Sequence, residues 1–396
     1  TDVVGVPIEI VQKIRDLASD RTGIPADHIM ISATHTHSGP ELRGEGEKTA
    51  SPSYIRNLID SIAGGITSAW KFRRPARIGF NDGAIQGIGV NRRNPKGGAI
   101  DAQVGVLRVD YEDTGLGCVF FNYTCHPVVL GPDNLLISAD YPGYAMRLIE
   151  RIKGEEVAAM FSNGASGDIN TGHSADLSAL GYPIPGRTFE RAEKLGTMLA
   201  GEVLKVLETV ETVPDLTVRA ASKIVPLSLK PLPPLSQLRV MAEEKQKLLE
   251  SLSREKRTPE EKLLKAKVEA FYAELLISRA QEREEIPRGE KSQGEQPQGG
   301  QPKGRQLDVE LQAFLIGKTA LVAFPGEMFV EIGLSIKGNS PFKKTLIMGL
   351  TNGSVGYLPA IKAFEEGGYE TTSARFVKES AKIIEHSAVD LLKSLA

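Results

Sequence analysis

Cysteine is nearly absent from this 396-residue chain, which holds only Cys118 and Cys125. Both lie in the run Gly117-Cys-Val-Phe-Phe-Asn-Tyr-Thr-Cys125, which reads as one strand. Seven residues of strand cover roughly 23 Å and put the two side chains on opposite faces, whereas a disulfide needs Cα atoms within about 7 Å. The two thiols are not expected to pair, and the compartment stays open. An excess of charge of one sign is also missing: 48 basic residues stand against 50 acidic ones, for a net charge of −2. A nucleic-acid partner normally demands a basic excess, so the balance argues against one. No run of about 18 apolar residues occurs, so no segment reads as a membrane-spanning helix. What the chain does have is a hydrophobic fraction of 41% and a charged fraction of 25%. That is globular composition, enough for one large domain or two ordinary ones.

Residues 1–230 read as alternating helices and strands. Helical spacing runs over residues 7–19 (Ile8, Val11, Ile14, Leu17), 53–71 (Ile55, Leu58, Ile59, Ile62) and 187–209 (Phe189, Ala192, Leu195, Leu199, Val203). Ile29-Met-Ile-Ser-Ala33, residues 104–109 and residues 118–124 read as strands. Interleaved helices and apolar strands favour a mixed α/β, layered domain. Composition changes near Lys230. Residues 231–234 are a proline-rich hinge, and residues 236–253 are charged and helical. Thr258-Pro-Glu-Glu261 reads as a helix start with Thr258 as N-cap. The helix it opens carries an apolar stripe of Leu263, Leu264, Val268, Phe271, Tyr272 and Leu275. The two helices suggest an antiparallel hairpin. Residues 287–305, rich in Gly, Gln, Pro and Lys, are expected to be disordered. Strands resume over 309–316, 320–324 and 345–348, and a helix over 373–395 closes the chain. The simplest division is one catalytic domain (1–230 and 306–396), a helical-hairpin insertion (231–286) and a disordered linker (287–305).

Six histidines are present, and three of them follow strand-like runs. In Thr34-His35-Thr36-His37-Ser38-Gly39-Pro40 two stand at i and i+2, so a continued extended backbone puts both rings on one face. His126 follows the 118–124 strand and precedes Pro127. A lone buried histidine is most simply a packed core residue; two imidazoles on one face are harder to explain by packing. Neutral imidazole is a common zinc ligand, and a catalytic zinc usually takes about three protein ligands. The turn Ser162-Asn-Gly-Ala-Ser166-Gly167-Asp168 lacks the last glycine of a Gly-x-Ser-x-Gly elbow, which disfavours Ser166 as a nucleophile. Asp168 remains available to orient a ligand histidine. Phe324-Pro-Gly-Glu327 sets a carboxylate after an apolar strand, and Gly349-Leu-Thr-Asn-Gly-Ser-Val-Gly-Tyr357 is a polar turn ending in tyrosine.

Together with Val90-Asn91-Arg92 and Cys125-His126-Pro127, these stretches resemble the neutral/alkaline (non-lysosomal) ceramidase family, in that family's order. The resemblance implies a zinc-dependent amidase in which His35, His126, Glu327 and Tyr357 hold Zn2+. It also implies that His37, Arg92 and Tyr357 act on the substrate. Bound zinc lowers the pKa of water to around 7 and polarises a carbonyl. The implied reaction is hydrolysis of a linear N-acyl amide by metal-activated water, on a small-molecule or lipid substrate, in a secreted or periplasmic setting. Three departures stand out. Asn170 occupies the position of a family serine. The stretch from Ser236 to Arg305 lies outside the family pattern. The sequence ends at Ala396, short of the family's C-terminal immunoglobulin-like domain. Thr1-Asp-Val-Val4 reads as the inside of a strand, so sequence before it is expected. The main alternative is a catalytically silent scaffold of the same fold that binds a partner through Phe271 and Leu275. A binuclear amidohydrolase barrel using His35 and His37 is a further option, short of ligands in the right order.

Overall fold

The computed structural model describes residues 1–42, 49–255, 258–285 and 305–396. Two helices come first, α1 (Ile8–Thr22) and α2 (Pro52–Lys71). A first group follows: β1 (Ala76–Ala84), β2 (Val90–Asn91), β3 (Gln103–Tyr111), β4 (Gly115–Tyr123), α3 (Asp140–Lys153), β5 (Ala158–Asn163), β6 (Ile169–Asn170), α4 (Ala175–Ala179) and α5 (Phe189–Leu207). A second begins with β7 (Val218–Ser228), then α6 (Leu235–Arg254), α7 (Glu260–Glu285), β8 (Gln306–Ile316) and β9 (Thr319–Ala323). It continues through β10 (Glu327–Met328), α8 (Val330–Asn339), β11 (Lys344–Met348), β12 (Tyr357–Leu358), α9 (Ala363–Glu366), α10 (Tyr369–Ser373) and α11 (Ser380–Lys393).

The two groups share a plan. One sheet has the order β1-β3-β4-β5 and the other β7-β8-β9-β11. In each, the first two pairings are antiparallel and the last is parallel. A parallel pair needs a crossover, supplied by α3 in one sheet and α8 in the other. Alternation along the strands stacks the sheets. Val104, Val106, Val119 and Phe121 face α3 and α5, while Ala320, Val322 and Ile347 face α8 and α11. The opposite faces meet: Phe120 and Phe80 pack with Leu321, Leu346 and Met348. The result is a mixed α/β sandwich of four layers, helix–sheet–sheet–helix. Asn122 is buried between the sheets, its amide donating to Ser162 O (3.1 Å) and Ile347 O (3.0 Å). A third core joins α1, α2 and residues 29–33, fastened to β8 by the buried Arg15–Glu310 pair at 2.8 Å.

Most expected elements are present, and the departures have local causes. Residues 29–33 are extended but make only one bridge, Ser32 to Thr351. Their backbone is instead held by Asn352, whose Oδ1 accepts from Ile31 N, and by Arg15, which donates to Ile29 O. The closing helix starts at Ser380, not 373, because Phe376 first bridges to Leu229. Thr258 does not cap α7; its hydroxyl donates back to Leu252 O. α6 and α7 do lie side by side, tied by Lys245 to Glu269 at 2.8 Å. The aromatic part of the α7 stripe is packed within the chain: Phe271 stacks on Tyr369 and Tyr272 bonds Asp176. Part of the face suggested for a partner around Phe271 is thus taken up within the chain, while Phe271 and Leu275 stay half-buried. The expectation of disorder over 287–305 falls, apart from Arg305, outside the described residues. Among the described residues no helix is long and apolar enough to cross a membrane.

Candidate metal centre

The carboxyl ends of the parallel strand pairs in both sheets come together at Gly164 and Gly349. Gly349 N donates to Asn163 O, and a methyl group on Gly349 would sit 2.5 Å from Gly164 O. Strand ends of this kind are where open α/β sheets place ligands. Here the loop after β4 brings His126 and the loop after β9 brings Glu327, while the segment after residue 33 brings His35.

His126 Nε2 is 3.1 Å and His35 Nε2 is 3.4 Å from Glu327 Oε2. One potential ligand atom from each residue lies within 4.8 Å of the others, and all three residues are buried. The opposite ring nitrogens define the tautomers. His126 Nδ1 faces Ser166 O (2.6 Å) and Ile169 O (3.0 Å), and His35 Nδ1 faces Val4 O (2.5 Å). A carbonyl only accepts, so each Nδ1 carries the proton and each Nε2 presents a bare lone pair. Burial pushes the His126 imidazole down to about 4, with Arg92 reinforcing it. Glu327 is held well below its ordinary range, against the effect of burial, only when a neighbouring imidazole carries a second proton on the Nε2 that faces it. In their neutral forms the two imidazoles, with the carboxylate, aim lone pairs at one place. That arrangement is repulsive by itself and is the donor set a divalent cation requires. The residues fit a metal ion.

His35 reaches this position through a left-handed backbone, φ 73°. The two histidines of the His-x-His stretch meet, with Nε2 atoms 3.4 Å apart, but through this kink and not through the extended alternation expected from sequence. Such a strained non-glycine residue at a site is held by its surroundings; the Val4 O contact and the His35 N to Val3 O bond (3.1 Å) do so here. Asp168 does not orient a ligand histidine. Its oxygens accept from Asn91 Nδ2 (2.8 Å) and Val330 N (2.8 Å), and backbone carbonyls orient the rings instead.

Tyr357 lies beside Glu327 in the register of β10 and β12. Arg92 donates to its hydroxyl (3.1 Å), to Gly167 O (2.8 Å) and to Glu370 (2.7 Å). Burial and the neighbouring Glu327 raise the Tyr357 phenol well above its usual range, so it stays protonated. A cavity of about 210 Å³ opens onto His37, Arg92, His126 and Tyr357, with His173, Arg187 and Tyr369 among its other walls. Sequence reasoning missed several of these residues. Glu370, which binds both Arg92 and Arg93, is announced only by the preceding Gly367-Gly368, both at positive φ. His173, pushed down to about 3 by burial and then by Arg187 and Arg92, and Arg187, which donates to Val128 O and Leu130 O, stand in no recognisable motif.

Residues 4–176 match the sequence model of the neutral/alkaline non-lysosomal ceramidase N-terminal domain. The chain is 24% identical over 217 residues to a neutral ceramidase of Mycobacterium tuberculosis, covering 48% of this chain and 33% of that protein. It is 28% identical over 165 residues to neutral ceramidase A of Dictyostelium discoideum, covering 37% and 23%. The crystal structure of the neutral ceramidase from Pseudomonas aeruginosa superimposes with a TM-score of 0.67 at 18% identity, covering 99% of this chain and 65% of that one. A ceramidase complexed with C2 gives 0.65 at 17%, covering 99% and 66%. The chain therefore spans a third or less of these curated relatives and about two thirds of the solved chains. Its first 176 residues carry the N-terminal signature of the neutral/alkaline non-lysosomal ceramidases, on the fold of a neutral ceramidase.

Proposed function

We propose that this chain is a zinc-dependent amidase that hydrolyses a linear N-acyl amide. The observation that carries the reading is the convergence of His35 Nε2, His126 Nε2 and Glu327 Oε2, with both imidazole protons held elsewhere by backbone carbonyls. Zinc bound there supplies a water of lowered pKa and polarises the amide carbonyl. Tyr357 is placed to finish the polarisation. Because Arg92 donates to the phenol oxygen, the phenol proton is left for the substrate oxygen. As a neutral phenol, Tyr357 acts as a donor and at most as a loose ligand. Arg92 adds a fixed positive charge, anchored by Glu370. His37, on the cavity wall and beside His35, is the imidazole placed to pass a proton to the departing amine.

Asn170, buried and bonded to His173 O, Gly172 N and His173 N, fills a structural role and offers no nucleophile. This agrees with activated water as the attacking group. The expected outcome for His35→Ala is loss of both zinc, by elemental analysis, and turnover, on a panel of N-acyl amides that includes ceramides of several chain lengths. Full zinc and full turnover in that variant end the proposal.

A further inference from the structure

The helical pair reaches the pocket from behind at two places. On one side the Tyr272 hydroxyl donates to Asp176 in α4, and Lys267 Nζ donates to Tyr182 just beyond α4 at 2.5 Å. Ala175, Ser178 and Ala179 of that same helix line the cavity. On the other side Phe271 stacks on Tyr369, with ring centres 6.4 Å apart and 24° between planes. Tyr369 lines the cavity too and stands edge-on to Tyr357 at 5.7 Å. Lower down, Glu282 of α7 pairs with Arg375 at 2.8 Å, just past α10.

Both wall segments are five residues long. Helices that short have no stability of their own, and α4 fully buries none of its residues. Their positions are therefore set by what they lean on: α10 is pinned at Glu370 by Arg92 and Arg93 and leans on α7 at Tyr369 through Phe271, while α4 leans on α7 at Asp176 through Tyr272.

We propose that α7 is a brace that fixes the separation of the two pocket walls and so sets the size of group the pocket admits. Phe271 and Tyr272 act as positioning residues, through Tyr369 and α4. The proposal rests on reading the pocket as an amidase site, and its test separates the two. The zinc-loaded full chain is compared with Phe271→Ala, Tyr272→Phe, the conservative Phe271→Tyr and the exposed-surface control Lys247→Ala. Amide hydrogen exchange is read over residues 175–182 and 369–373. KM and kcat are read for short and long N-acyl amides of one amine.

Phe271→Ala is expected to speed exchange over 369–373 directly and over 175–182 through its contact with Tyr272, ring centres 6.1 Å apart. It should also change the short-to-long KM ratio roughly two- to tenfold, the size of a lost aromatic pair, with kcat for the short amide nearly kept. Tyr272→Phe should act chiefly on 175–182, and Phe271→Tyr should behave like the unmodified chain. Unchanged exchange in both segments overturns the brace, and faster exchange with an unchanged KM ratio overturns its role in selectivity. If the unmodified chain cleaves no amide, the amidase reading fails while exchange alone decides the brace.

Discussion

The two sheets are built on one plan yet deliver different chemistry. In the first, β4 runs into His126 and then α3; in the second, β9 runs into Glu327 and then α8. Equivalent strand ends thus supply a neutral imidazole on one side and a carboxylate on the other, and His35 arrives from outside both. No one half holds a complete donor set. The connections between the first two strands differ as well. Between β1 and β3 lies the connection that holds β2 and carries Asn91 and Arg92 into the site directly; between β7 and β8 lies the helical pair, which among the described residues reaches the cavity walls through α4 and Tyr369. The centre is a property of the seam, and what happens at the seam distinguishes the halves.

Breaking the seam at its donors should have the largest effect. Glu327→Gln removes the one carboxylate of the His35, His126 and Glu327 group. Loss of bound zinc and turnover at background are expected, checked by elemental analysis and amide hydrolysis. His126→Ala should do the same from the other half, and retention of zinc in either variant contradicts a centre shared between the sheets.

The next largest effect should come from Glu370→Gln. Glu370 is nearly inaccessible and pairs with both Arg92 and Arg93, the latter also reaching Glu366. Leaving a buried guanidinium without its carboxylate costs about 3–5 kcal/mol. The lower end applies here, since Arg92 also keeps Gly167 O and feels Glu327. Denaturant unfolding should show that loss, with zinc content in the folded protein unchanged.

Much of this was open to sequence reading, for identifiable reasons. The long amphipathic segments of α1, α2 and α5 announce themselves by period and His35, His37 and His126 by following strand-like runs, whereas Glu327 is singled out only by the family resemblance. What stayed hidden depends on contacts between residues far apart in sequence. Residues 29–33 have the composition of a strand, but the groups that hold them belong to Arg15 and Asn352. Nothing in Thr34-His35-Thr36 reveals that His35 turns left-handed, because the cause is Val3 and Val4. Glu370 looks like any charged residue on a short helix; only the arrival of Arg92, 278 positions away, makes it part of the site.

Asp168 offers a pH test of the first half. Burial raises its carboxyl to about 6, against Val330 N, Arg92 and Asn91, which favour the ionised form. An acid whose folded pKa lies above its unfolded value binds more protons when folded between the two, here from about 3.8 to about 6. Its contribution to stability therefore falls as pH rises through that window, by at most about 1.4 kcal/mol per pH unit. Asp168→Asn should flatten this part of the stability curve. A slope identical to that of the unmodified chain would show that the carboxyl titrates normally.

The smallest effects should come from the packing between the sheets, where two glycines make a controlled pair. A methyl group at Gly105 would meet the Leu346 side-chain tip at 2.5 Å; one at Gly349 would meet Gly164 O at the same distance. The distances match, but the obstacles differ. A leucine tip can rotate away, while the carbonyl of Gly164 belongs to the turn that carries Ser166, on whose oxygen His126 depends. Gly349→Ala should therefore lower stability by about 1–3 kcal/mol and weaken zinc retention, and Gly105→Ala should lower stability by less with zinc unaffected. Equal losses at the two positions would mean that the sheets meet as a uniform core, and that their carboxyl ends are no more constrained than their middles.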